Sequence, residues 1–108
     1  AVILKDNFFG IFGLAVKAGK AMLGTFACEK GVKGGKVGLV LLDAGASNRT
    51  KKDVQNMCKF FEIPLIEVEP EGMMGKRCGK DGLMLAGITD PGFTKRLKEI
   101  AKSNDAEV

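Results

Sequence analysis

Residues 37–61 read VGLVLLDAGASNRTKKDVQNMCKFF, and the fold class turns on them. Val37–Leu42 is a continuous apolar run, the pattern of a strand covered on both faces. Asp43–Ser47 reads as the turn, with Ser47 or Asn48 capping a helix. In that helix Val54, Met57, Cys58 and Phe61 recur at i, i+3, i+4 and i+7, an amphipathic stripe. Arg49, Lys51 and Lys52 lie in its first two turns, where they oppose the helix dipole, so a role other than local helix stability is expected of them.

Working outward, a helix is expected from Asp6 or Asn7, both good caps, to Ala18, with Phe8, Phe9, Ile11, Phe12, Leu14 and Ala15 on a broad apolar face. Gly19 sits where a left-handed residue belongs, and Lys17 and Lys20 flank that negative helix end. AMLG reads as a brief strand. Thr25 then caps a second helix that ends at Gly34–Gly35. Downstream, Pro64 closes the third helix region and LIEV is the next strand. GMMGKRCG is a short glycine-bounded helix, and Leu83–Ile88 another apolar strand. Asp90–Pro91 starts the last helix, with Phe93, Leu97, Ile100 and Ala101 inward and a frayed tail from Lys102. Helices alternate with strands throughout, so the expected class is α/β, a single domain over residues 1–108 with its sheet between two helical layers.

Three cysteines without CxxC spacing, and no histidine, argue against a disulfide framework or a zinc site, so no metal is expected. Cys28, Cys58 and Cys78 each fall at an apolar helix position and are expected to be buried in a reducing cytoplasm. No membrane span or signal peptide is expected. Without His or Tyr, and with only Ser47 and Ser103 as serines, no Ser-His or Cys-His pair can be built. Glu67, Glu69 and Glu71 read as a solvated strand edge. GVKGGK fails as a Walker loop because it precedes a strand and no Ser or Thr follows its lysine. A non-enzyme with no cofactor is the expectation.

Charge is uneven along the chain. Residues 1–59 carry ten basic against four acidic side chains, a balance of +6, whereas residues 60–108 carry seven against nine. Gly13–Lys36 holds five lysines and one carboxylate. Lys17 and Lys20 end one helix, Lys30 and Lys33 share a face of the next, and Lys36 ends the following turn. If the two helices lie side by side, these charges form one rim suited to phosphate, joined by backbone donors at Gly24–Thr25 and extended by Arg49, Lys51 and Lys52. Phe26 is expected to pack on a neighbouring element; stacking on an unpaired base is the competing reading.

GLAVKAGK, the Gly-Thr turn, KVGLVLLDAGASNRTKK and the later IP, GKDG and ITDPGF resemble the small bacterial YlxQ-like homologues of the large-subunit ribosomal proteins called seven-Ae and thirty-e. The likeness covers about residues 9–102. It implies a three-layer α/β/α sandwich with a four-stranded mixed sheet that binds RNA, characteristically a kink-turn. It implies contacts from Lys20, Gly24, Thr25 and Lys30 on one side, and from Lys80, Asp81 and Gly82 on the other. Where kink-turn binders carry Asn-Glu, this chain has Phe26–Ala27, which cannot hydrogen-bond base edges. The second loop also lacks the branched apolar residues that pack on a flipped nucleotide. The expected partners are therefore RNA, ribosomal or kink-turn-like with that specificity weakened, and ribosome-associated proteins. The protein is expected to be a cytoplasmic monomer, with a protein adaptor on the same fold as the alternative.

Overall fold

A computed structural model describes residues 2–106. The elements run β1 (Val2–Ile3), α1 (Asp6–Lys17), β2 (Ala21–Leu23), α2 (Thr25–Lys33), β3 (Leu39–Asp43), α3 (Asn48–Phe60), β4 (Leu65–Glu69), α4 (Met73–Cys78), β5 (Leu85–Ile88) and α5 (Pro91–Ala106). The four expected strands pair as a mixed sheet, and Val2–Ile3 extends it by one two-residue strand, giving the order β1-β4-β3-β5-β2. Strands β1, β4 and β3 are parallel, while β5 runs antiparallel to both β3 and β2.

The pleat of β3 explains its unbroken apolar run. Leu39 and Leu41 face a core built with Phe8, Phe9 and Phe12 of α1 and Leu97 of α5. Val40 and Leu42 face the opposite core, with Cys28 and Val32 of α2 and Val54 and Cys58 of α3. A two-residue period thus feeds two helical layers, and the expected α/β/α sandwich results. Phe8, Phe9 and Phe12 are wholly or almost wholly buried, so truncating any of them to Ala costs about 3–5 kcal/mol. Leu14, by contrast, is exposed, so the buried face of α1 is narrower than its composition suggested.

Several ends differ from expectation for local reasons. Lys5, not Asp6 or Asn7, is the N-cap of α1, and its backbone N–H donates to Asn104 Oδ1 at 2.8 Å. That bond accounts for the buried Asn104 and for α5 running on through Ala106 where a frayed tail was expected; its last two expected residues lie outside the described ones. Strand β4 is interior because β1 covers it, so its glutamates do not form an edge. Asp90 does cap α5, accepting from Phe93 N at 2.9 Å. Cys28 and Cys58 are buried, while Cys78 is only half-buried.

Candidate nucleic-acid interface

Because β2 and β3 both run against β5, their carboxyl ends and the amino end of β5 meet at one end of the sheet. Gly24 N bonds Leu85 O, Asp43 N bonds Met84 O, and Ala44 N bonds Val68 O, at 2.8–2.9 Å. The start of α2, the turn before α3, the turn before α4 and the 80–82 loop therefore border one another.

Asp43 holds this end together. It is completely buried, and its two carboxylate oxygens accept from Gly45 N and Gly72 N, each at 2.9 Å. Both oxygens being met by backbone amides explains how a carboxylate sits at the end of an otherwise apolar strand. By sequence alone Asp43 is an ordinary turn residue. A lone acid closing an all-apolar run was the available signal.

At the start of α2, Gly24 has φ +96° and ψ 161°, a region closed to side-chain-bearing residues. Gly24 is itself the N-cap; Thr25 is the first helical residue and not the cap expected from sequence. No side chain caps this end, so its first backbone N–H groups and the positive pole of the helix are presented outward. Phe26 follows and is 80% exposed, correcting the expectation of burial: it lies on the face of α2 opposite Cys28 and Val32, away from the sheet. With Glu29, Lys30 and Lys33 it lines a shallow hollow of about 250 Å³, as the i, i+4, i+7 spacing of Phe26, Lys30 and Lys33 requires. Ala27 is half-buried beside it.

Across the border, Lys80, Asp81 and Gly82 are exposed. Their loop is pinned to α4: Lys80 N donates to Gly75 O at 2.8 Å, and the Lys80 carbonyl lies so close to Gly75 Cα that a β-carbon there would collide with it. Gly82 turns the chain with φ +80°.

Lys17, Lys20 and Lys36 lie elsewhere. Lys20 and Lys36 are at the other end of the sheet, where Thr89 N donates to Lys20 O and Gly38 N to Ile88 O, both at 2.9 Å. Each closes the same helix-ending motif. Gly19 N and Lys20 N reach back to Val16 O and Ala15 O, just as Gly35 N and Lys36 N reach to Val32 O and Gly31 O. Lys17 and Lys33 are the last helical residues before these motifs, so four of the five lysines surround negative helix ends that favour them locally. Helix α2, nine residues or about 13 Å long, carries Lys30 between the two ends. Lys51 is paired with Glu67 at 3.0 Å, leaving Arg49 and Lys52 exposed at the start of α3.

No helix among the described residues is long and apolar enough to cross a membrane. The description "Ribosomal protein L7Ae/L30e/S12e/Gadd45 family" matches residues 7–98. The chain is 32% identical over 91 residues to RNA-binding protein YlxQ of Bacillus subtilis strain 168, spanning 84% of this chain and 91% of that one. It is 31% identical over 99 residues to large ribosomal subunit protein eL30 of Sulfolobus acidocaldarius, spanning 90% and 95%. None of these names describes a catalyst. Among solved structures, a Bacillus halodurans protein of unknown function aligns with TM-score 0.84 and 29% identity over 91% of this chain and 99% of that one. The Giardia lamblia 15.5kD RNA binding protein shares the fold, with TM-score 0.73 and 17% identity over 98% and 94%. The sandwich, its strand order and the matched span agree: the chain belongs to the L7Ae/L30e/S12e/Gadd45 ribosomal protein family.

Proposed function

We propose that the protein binds structured RNA without catalysis, through the end of the sandwich where Gly24, Thr25, Phe26, Ala27 and Lys30 border Lys80, Asp81 and Gly82. The observation that carries this reading is the Gly24 N–Leu85 O bond, which seats an outward-facing helix start beside an exposed glycine turn. Backbone donors and Lys30 take phosphate oxygens, and the cleft between the two segments reads the bend of the RNA rather than its sequence. Membership of a ribosomal protein family and likeness to RNA-binding relatives support it and favour a ribosomal RNA target; in this reading the protein acts in the cytoplasm as a monomer. Kink-turn preference is weak in this reading, because Phe26–Ala27 offers no hydrogen bond to a base edge.

The test is capture of the full chain from lysate with and without ribonuclease, then crosslinking and sequencing of attached RNA. Crosslinks at residues 24–30 and 80–82 are expected. Partners that survive nuclease, with no RNA recovered, would overturn the reading. They would favour a protein adaptor instead, for which Phe60, 81% exposed and edge-on to Phe61 at 5.0 Å, is one exposed apolar contact.

A further inference from the structure

The end of the sheet opposite the start of α2 carries a groove that the contact at the α2 start does not use. This groove, of about 590 Å³, runs between the α2–β3 connection and the first half of α5. Lys36 stands on one wall, and Thr94, Lys95 and Lys98 on the other. Glu99 is the one acid on that lining. The volume matches a nucleotide-sized ligand.

Four properties bear on what fills it. The lysines are exposed, and the ion pairs among the described residues, Lys51–Glu67 and Arg77–Asp6, involve none of them. Lys95 and Lys98 sit three apart on one helix face with Lys36 across the groove, so positive charge flanks both sides. Lys20 adds to it from next door, its carbonyl bonded to Thr89 N, and Thr89 itself lines the groove. Between the charges, Val37, Gly38 and Pro91 offer a floor without side-chain polarity, and Gly38, lacking a side chain, leaves the mouth open. Thr94, which lines the groove, has a buried Oγ1 without a hydrogen-bond partner where it lies against Gly38.

We propose that this groove binds a single-stranded RNA segment, with a base or ribose on the Val37–Gly38–Pro91 floor and flanking phosphates on Lys36, Lys95 and Lys98. The protein then bridges two RNA segments held at opposite ends of its sheet. An exposed lysine contributes little to holding one isolated phosphate, and no buried charge is present to grip it. A strand, whose successive phosphates sum such contacts and release condensed counterions, is the polyanion this arrangement suits. An acidic peptide would use the lysines but not the floor. The groove's own binding does not depend on the RNA contact at the α2 start; only the bridging rests on that reading.

The test uses the full chain and fluorescein-labelled decauridylate, followed by anisotropy at ~0.1 M salt, where lysine–phosphate contacts are only partly screened. The variant Lys36→Glu/Lys95→Glu/Lys98→Glu is expected to bind about tenfold or more weakly, with the slope of log K against log salt flatter by about 2. Gly38→Val, which fills the floor without changing charge, is expected to cost about fivefold through lost base contact. Lys59→Glu, an exposed charge at the end of α3 outside both RNA contacts, leaves decauridylate binding within about twofold, and uridine photocrosslinks map to residues 35–38 or 91–99. Unchanged binding by the triple variant would overturn the proposal, as would a Gly38→Val variant that binds normally. Crosslinks confined to residues 24–33 would also sink it, as would displacement by polyglutamate or uridine monophosphate as effective as by the strand.

Discussion

The backbone N–H of Gly24 donates to the carbonyl oxygen of Leu85 at 2.8 Å. This bond continues the β2–β5 ladder one step past Leu23↔Ala86, joining the residue before α2 to the first residue of β5. Two segments far apart in sequence thereby share one border, and their placement sets the order of effects expected from substitutions.

Lys30 lies on the exposed face of α2 with Phe26, whereas Lys20 closes α1 at the other end of the sheet. In filter binding with a structured RNA that contains a sharp internal bend, Lys30→Ala is expected to weaken binding about threefold to tenfold, and Lys20→Ala much less. With roughly four phosphates neutralised, wild-type log K falls against log salt with a slope of about −3 to −4. Equal losses from the two variants would mean that charge acts without position.

Phe26→Asn with Ala27→Glu restores side chains that can hydrogen-bond base edges. Phe26 is 80% exposed, so its replacement sacrifices little packing. The double variant is expected to prefer a standard kink-turn over a plain duplex by about tenfold more than the parent, the size of one base-specific contact. A parent that already discriminates as strongly would show that Phe26 does not set the specificity.

Gly75→Ala would drive a methyl group into the Lys80 carbonyl, which is backbone and cannot swing aside. About 1–3 kcal/mol of stability should be lost, read as a lower urea midpoint. The displaced 80–82 loop should also lower structured-RNA affinity while leaving Lys30 untouched. Loss of stability with no change in affinity would remove that loop from the interface.

The Cys28 thiol is pushed up from 9.0 to about 12, mainly by burial, with smaller contributions from nearby Cys58 and Glu29. Between pH 9 and 12 the unfolded chain gives up this proton and the folded chain keeps it, so stability falls as pH rises and is unaffected below that range. Cys58 is shifted the same way by burial. From about pH 8 to about pH 10.5 the Cys28 thiol should remove roughly 2 kcal/mol, and Cys28→Ala should flatten the fall in unfolding free energy, read from urea titrations, by that amount. A variant with an unaltered pH slope would contradict the burial argument. In native protein at pH 8, an alkylating reagent should label half-buried Cys78 well before Cys28.

Local chemistry was enough to read the layers. The unbroken run at Val37–Leu42, the periodic Val54–Cys58 face, the Asp90–Pro91 start and the glycine-terminated helices are short-range patterns, and each element they announced is present. What local chemistry missed were partners supplied from a distance. Phe26 read as a packing residue because composition cannot say which side of α2 meets the sheet. Asn104 read as tail because its partner, Lys5 N, lies at the other end of the chain. Asp43 read as a turn residue because Gly72, whose amide it accepts, belongs to a later element.

The sequence alone determined that this chain makes a sheet between two helical layers, and that its positive charge gathers in the first half. Only the tertiary structure decided where that charge faces. Strand β5 runs antiparallel to β2 and β3, so the start of α2 and the 80–82 loop fall at one end of the sheet and Lys20 and Lys36 at the other. Strand direction is a long-range choice of hydrogen-bond partners, and it assigns lysines close together in sequence to separate surfaces.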